Sequence, residues 1–203
     1  MANVALIGAS GQAGSRILKE LSDRGHRVTA IARNPAKIAA LPGVTAVKGD
    51  VFEKDALAGL LKGHDAVVSA VHFTASDPDL LIGAVRAAGV ARYLVVGGAG
   101  SLEVAPGQRL IDQPDFPAAY KAEAAAGATF LDLLKGVDDL DWTFLSPSAM
   151  FVPGERTGSF RLGRDELLVG EGGSSISFED YAIALVDELE RPAHVRQRFT
   201  VGY

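Results

Sequence analysis

From residue 3 to about residue 145, short apolar runs of strand length alternate with longer stretches in which apolar residues recur at helical spacing. No other feature limits the fold as much. A strand, a helix and a second strand parallel to the first form one unit, and its repetition builds a parallel sheet with helices on both faces. The expected strands are 3–7, 27–32, 45–48, 66–70, 93–96 and 141–145, each rich in β-branched or aromatic residues and bounded by Gly, Asp or Pro. Most are almost uninterrupted apolar runs, as burial on both faces requires. The expected helices are 13–24, 54–61, 79–88 and 118–135. Gly25, Gly63, Gly89 and Gly136 stand at their ends, where a left-handed cap fits. The expected fold class is α/β, a doubly wound parallel sheet.

Beyond Ser146 the texture changes. Pro147, Pro153, Gly154, Gly158, Gly163, Gly170, Gly172 and Gly173 crowd a stretch with only brief apolar pieces, before helical period resumes over 178–189 and a closing strand is expected at 198–201. The stretch is too short to bury a core of its own. Residues 147–203 are therefore expected as a loop-rich excursion lying over the C-terminal ends of the main strands, where open α/β sheets bind ligands, within a single domain spanning 1–203.

A net charge of -5, with no dense run of Lys or Arg, argues against nucleic acid as a partner. The absence of cysteine excludes disulfides, a thiol nucleophile and thiolate-held metals. His26, His64, His72 and His194 make no metal-ligand spacing with one another, so no metal site is expected. Ser10 and Gln12 interrupt the first apolar run too early for a signal peptide or a membrane span, so a cytoplasmic protein without membrane association is expected.

The first strand runs into Gly8-Ala9-Ser10-Gly11-Gln12-Ala13-Gly14, and a helical pattern follows at once. In such a turn the first glycine permits a tight bend, the second lets backbone approach a pyrophosphate, and the third lets the helix pack on the strand. Ser10 and Gln12 could add side-chain bonds, and a dinucleotide is the expected ligand. An NAD-specific site places an acid at the end of the second strand. This chain has Arg33 there and Lys37 shortly after, which suits the 2′-phosphate of NADP(H) over NAD(H), a solvated charge being the lesser alternative for Arg33. Asp50 and Val51 are placed to meet the adenine, with a loop cap the equal alternative for Asp50. Ser69, Ala70 and Val71 offer small residues beside the cofactor ribose.

With Gly8-x-x-Gly11-x-x-Gly14, Arg33-Asn34-Pro35, Gly49-Asp50-Val51 and the segment from Leu94 to Leu102, the chain resembles an atypical short-chain dehydrogenase/reductase of Rossmann type. Gly97 to Leu102, Pro114-Asp115-Phe116-Pro117 before Tyr120-Lys121, and Ser146 to Gly158 are similar to the NmrA-like group, to which NAD(P)H-flavin reductase activity is ascribed. The resemblance implies a nicotinamide near the ends of the fourth to sixth strands, against Gly97 and Gly98, with backbone of Pro147, Ser148 and Ala149 on its carboxamide side.

Relatives of that kind usually pair Tyr-x-x-x-Lys with a serine. Here Tyr120 is followed at once by Lys121, Ala124 stands four residues on, and Gly97-Gly98 replaces the serine, with Ser101 displaced outward. Neighbours in sequence do not stack on one helix face, so tyrosine-assisted carbonyl reduction is disfavoured. The chemistry that survives is hydride transfer to a flat small-molecule acceptor such as a flavin or quinone. Lys121 could bond the ribose, and Tyr120, His72 or Ser101 could supply a proton or line the pocket. Phe73, Phe116, Met150, Phe151 and Phe160 could wall a flat ring or close the core. Arg109, Arg156, Arg161 and Arg164 could meet an anionic group. An NADP(H)-sensing regulator without turnover is the second reading, a sugar-nucleotide epimerase or dehydratase the third, and a homodimer is a further expectation.

Overall fold

The computed structural model describes all residues, Met1–Tyr203. In chain order the elements are β1 (Asn3–Ile7), α1 (Gln12–Asp23), β2 (Arg27–Ala32), β3 (Val44–Lys48), α2 (Lys54–Leu61), β4 (Ala66–Ser69), α3 (Pro78–Ala88), β5 (Arg92–Val96), β6 (Glu103–Ala105), β7 (Gln108–Arg109), α4 (Ala118–Lys135), β8 (Asp141–Pro147), β9 (Met150–Val152), β10 (Arg161–Gly163), β11 (Ser175–Ser177), α5 (Phe178–Glu190) and β12 (Gln197–Gly202). Eight strands form one sheet in the order β10-β12-β8-β5-β4-β1-β2-β3, parallel throughout except for β10. From β1 the chain builds outward through β2 and β3 and then returns to β4 on the other side. The winding therefore reverses between β1 and β4, where an open α/β sheet leaves a crevice at its strand ends.

Period-2 alternation explains the two-sided core. In β1, Ala5 and Ile7 face a cluster completed by Leu57 and Leu61 of α2, Leu81 and Val85 of α3, and Phe130, Leu131 and Leu134 of α4. Val4 and Leu6 face the opposite cluster, with Ile17, Leu18 and Leu21 of α1 and Tyr181, Leu185 and Val186 of α5. Each such fully buried aliphatic side chain contributes roughly 1.5–3 kcal/mol. Polar groups that enter this core are paired, except for the buried Arg92 Nε, which has no partner. Glu188 on α5, 4% exposed, accepts from Arg92 Nη2 at 2.9 Å, His194 Nδ1 at 2.8 Å and the backbone N–H of His194 at 3.0 Å. Across the outer helix pair, Arg24 at the C-terminal end of α1 donates to Glu20 of α1 and to Asp187 and Glu190 of α5.

Three expectations are corrected. Gly136 ends α4 at φ -87°, so it is no left-handed cap, whereas Gly25, Gly63 and Gly89 sit at φ 76°, 81° and 71°. The excursion after Ser146 covers the strand ends only with its first part. Its later part supplies β10, which pairs antiparallel with β12 and blunts a sheet edge that would otherwise leave backbone donors and acceptors unpaired. Finally, the short strands β6, β7, β9, β10 and β11 were not among the expected elements. They are two or three residues long, too short for any period; β6 and β7 form a local hairpin, and β9, β10 and β11 exist through partners farther along the chain. No helix is long and apolar enough to cross a membrane.

Candidate functional site

A cavity of about 800 Å³ opens at the C-terminal ends of β1, β2, β4, β5 and β8, within the usual size of a ligand pocket. Its floor is the glycine turn. Gly8 lies at φ 81°, and a Cβ there would stand 2.3 Å from the carbonyl oxygen of Ala70. The turn and the end of β4 thus meet backbone to backbone, which only glycine allows. A Cβ on Gly14 would stand 2.1 Å from the Gly8 carbonyl oxygen, so this residue lets α1 sit directly against the turn. The first turn of α1 has no side-chain cap and no acidic residue, leaving its N–H groups and positive dipole end available to an anion. Ser10, Gly11, Gln12 and Ala13 border the cavity here, although Gln12 Oε1 already accepts from Arg16 at 3.2 Å.

At the end of β2, Arg33 is exposed, borders the cavity and has no carboxylate partner. Lys37 lies outside. Asp50 and Val51 also border it, and both readings of Asp50 meet in one side chain: Oδ1 accepts from the Phe52 N–H at 3.0 Å, closing a local turn, while Oδ2 has no protein partner. Phe52, not among the expected residues, is 56% exposed at the same edge. A donor-lined turn and a cradle that any Cβ would fill together fit the pyrophosphate of a dinucleotide.

Ala70 and Val71 line the cavity beyond β4, but Ser69 does not. It is 2% exposed and its hydroxyl meets Tyr93 Oη at 2.9 Å inside the core, because strand alternation turns it inward. Gly97 and Gly98 line the wall beyond β5. A Cβ at Gly97 would meet the Phe144 ring at 2.4 Å, and one at Gly100 would meet the Ala124 Cβ at 2.7 Å. The loop after β5 therefore packs closely on α4 at Ala124, four residues past Tyr120, where the chain carries a methyl and no lysine. Pro147, Ser148 and Ala149 border the cavity at the end of β8, the Ser148 hydroxyl being turned away to the Val201 carbonyl at 3.0 Å.

Of the four proton-donor or ribose candidates, Tyr120 and His72 border the cavity, and Ser101 and Lys121 do not. Ser101 faces Arg198, whose Nη1 lies 3.3 Å from its hydroxyl, and Lys121 points to solvent, one position around the helix from Tyr120. Phe73, Phe116, Met150 and Phe151 line the cavity, while Phe160 packs into the core on the α5 face. The arginines expected near an anionic substrate are occupied elsewhere. Arg109 pairs with Asp112 at 2.8 Å, Arg156 with Glu20 at 2.9 Å, and Arg161 donates to the carbonyls of Val169 and Tyr203; Arg164 does not border the cavity.

One site residue that sequence reasoning missed is Glu123. From α4 it accepts the N–H of Phe73 at 2.7 Å, the N–H of Thr74 at 2.9 Å and the Thr74 hydroxyl at 2.6 Å, and its Oε1 lies 3.3 Å from His72 Nδ1. It fastens the loop after β4 to α4 beneath the Phe73 ring, which packs on Phe130 and Phe144. Burial raises its pKa, but the bonds from Thr74 and Phe73 more than offset this, so the carboxyl lies below its ordinary value. The clamp is therefore complete above the ordinary carboxylate pKa and is lost as pH falls through the lowered one. Amide-exchange protection at Phe73 and Thr74 is expected to be lost only in acid, as pH falls below the ordinary carboxylate range. In Glu123→Gln it should be weaker and independent of acid. Unchanged protection in the variant would contradict the clamp.

A model of a family described as NAD(P)H-binding matches residues 8–192. The chain is also similar to three solved structures. A protein of Burkholderia pseudomallei named "putative exported protein" is 47% identical, with TM-score 0.91 and both chains covered in full. A "putative epimerase" of Bacteroides thetaiotaomicron is 43% identical, with TM-score 0.94, over 99% of this chain and 96% of that one. A "putative NADH-flavin reductase" of Streptococcus pneumoniae is 41% identical, with TM-score 0.83, over 100% and 99%. Two of the three names state an activity and these differ, so the choice among reactions falls to the side chains around the cavity.

Proposed function

We propose, from the premise that this chain belongs to the NAD(P)H-binding family and is a nicotinamide-dependent oxidoreductase, that it prefers NADPH to NADH and reduces a flat acceptor of flavin or quinone type. The observation that carries the cofactor preference is Arg33, a guanidinium without a carboxylate partner at the strand end where an NAD-specific site would hold an acid. The Gly8–Gly14 turn would hold the pyrophosphate, Asp50 and Val51 the adenine, and Ala70 and Val71 the ribose. When bound, the cofactor supplies the hydride. The chain's own part is positioning and exclusion of water: Phe73, Phe116 and Phe151 offer apolar walls, and backbone at Gly97, Gly98 and Pro147–Ala149 closes the far side.

No fixed proton relay is needed for such an acceptor. Tyr120 is 66% exposed, its hydroxyl has no hydrogen-bond partner, and Ala124 occupies the helix position from which a lysine would support it. This also weighs against an epimerase. His72, braced through Nδ1 by Glu123, is the better placed proton donor. A cytoplasmic location accompanies this reading, since reduced nicotinamides are kept inside cells.

Loss of nicotinamide absorbance with a panel of flavins and quinones tests the reaction, and saturable turnover is expected. Arg33→Ala should weaken NADPH binding by about 10- to 100-fold and NADH binding by less than about twofold, as loss of a charge-assisted paired contact implies. NADH binding as tight as NADPH, and indifferent to Arg33→Ala, would remove the preference. Tight NADPH binding with no acceptor reduced would instead favour a nicotinamide sensor.

A further inference from the structure

The charges around the cavity are unevenly placed. Its border carries three carboxylates, Asp50, Asp115 and Glu123, against one guanidinium, Arg33. Asp115 and Glu123 belong to the segment entering α4 and to α4 itself, beside the ends of β5 and β8. Neither is paired with Lys or Arg: Glu123 binds the loop after β4, and Asp115 is exposed and unpartnered. Arg33 follows β2, four strand spacings from β8, or roughly 19 Å away. The arginines nearest the acceptor end are committed, Arg109 to Asp112, Arg161 to two carbonyls and Arg198 to Asp165, while the unpaired Lys121 and Arg164 lie outside the cavity border. What remains there is apolar, with Met150 59% and Val152 41% exposed.

We propose that the acceptor is a planar ring system carrying no phosphate or carboxylate, such as a dephosphorylated flavin or an uncharged quinone, and that the Asp115 and Glu123 carboxylates reject phosphorylated flavin. A flavin phosphate brings about -1.5 to -2 charges, finds no lysine or arginine on the cavity border at this end and meets two like charges instead. The proposal rests on the reductase reading above. The reaction balances with what that reading names: the dihydronicotinamide is oxidised by loss of a hydride, and the acceptor gains that hydride and one proton, drawn from solvent through His72, two electrons in all.

Riboflavin and flavin mononucleotide differ only in the phosphate, and they make the test. With saturating NADPH, riboflavin is expected to show kcat/KM at least about fivefold higher at low salt, the ratio falling toward one as ionic strength rises. Asp115→Lys, at an exposed position without partners, should narrow or invert the ratio mainly through KM for the mononucleotide. Dissociation constants for both flavins with NADP present give a second readout independent of turnover. Equal or tighter binding of the mononucleotide, or a ratio unmoved by both salt and Asp115→Lys, would overturn the charge inference. If riboflavin binds more tightly yet neither flavin nor quinone consumes NADPH, the charge inference stands and the reductase reading falls. If neither flavin binds and no acceptor is reduced, both fall.

Discussion

Gly8→Ala is expected to weaken NADPH binding by at least about 100-fold and to lower the melting temperature. Two costs add. A non-glycine residue in the left-handed region at φ 81° loses roughly 1–2 kcal/mol, and the new methyl would also stand 2.3 Å from the Ala70 carbonyl oxygen and 3.0 Å from Val71 Cγ1. Relief requires the turn to move away from β4, and that displaces the N–H groups at the start of α1 from wherever the pyrophosphate sits. A one-ångström error in a positioned contact is enough to cost orders of magnitude. Gly63→Ala is the control: φ is also 81°, but nothing lies within 4 Å of the added methyl. It should show only the backbone cost and bind NADPH normally. Fluorescence titration and thermal melting of both variants decide the matter. A Gly8→Ala protein that binds within threefold of wild type would mean the phosphates sit elsewhere.

Glu188→Ala is expected to cost about 3–5 kcal/mol of folding stability, the usual penalty for removing one partner of a buried ion pair. Arg92, whose side chain is 12% exposed, would keep its charge in the core without a counter-ion, and the N–H groups of Ala193 and His194 would lose their acceptor. Burial already pulls the Arg92 pKa down despite the carboxylate beside it. Urea unfolding measures the loss. Replacing both residues with apolar ones of similar volume should recover much of it, because the attraction of a buried pair roughly balances its desolvation. A loss under about 1 kcal/mol for Glu188→Ala would show that water reaches Arg92. Glu188 lies on α5 away from the cavity, so NADPH affinity of the folded variant should be unchanged.

The parts legible in the sequence were those whose signal is local and repeated. Helices α2 and α4 have the bounds their periodicity indicates, and the central strands read as apolar runs because helices cover both faces. The resemblance to short-chain dehydrogenases agrees with the fold and with membership of the NAD(P)H-binding family. What was not legible depends on partners far along the chain. Strand β10 exists because β12 had a free edge, and β9 pairs with β11 across 25 residues. Glu123 reads in sequence as one more solvated helix charge; only the folded chain brings the Phe73 and Thr74 amides to it across 50 positions. Ser69 is at its expected place in the chain, but strand alternation turns its side chain away from the ligand, and Ser101 is drawn to Arg198, which lies on the last strand.

The pairing of α1 with α5 also sets the order in which this molecule can be made. The contact from Arg16 to Glu179 joins residues 163 positions apart, and the apolar face of α1, Ile17, Leu18 and Leu21, is covered by Tyr181, Leu185 and Val186. A chain emerging from the ribosome has the glycine turn and the first sheet strands early, but that face of α1 stays open to water until α5 has been synthesised and has closed the loop. The phosphate-binding end of the protein is therefore among the first parts written and among the last to become rigid. A nascent chain stalled before residue 178 is expected to be bound by chaperones and not by nucleotide.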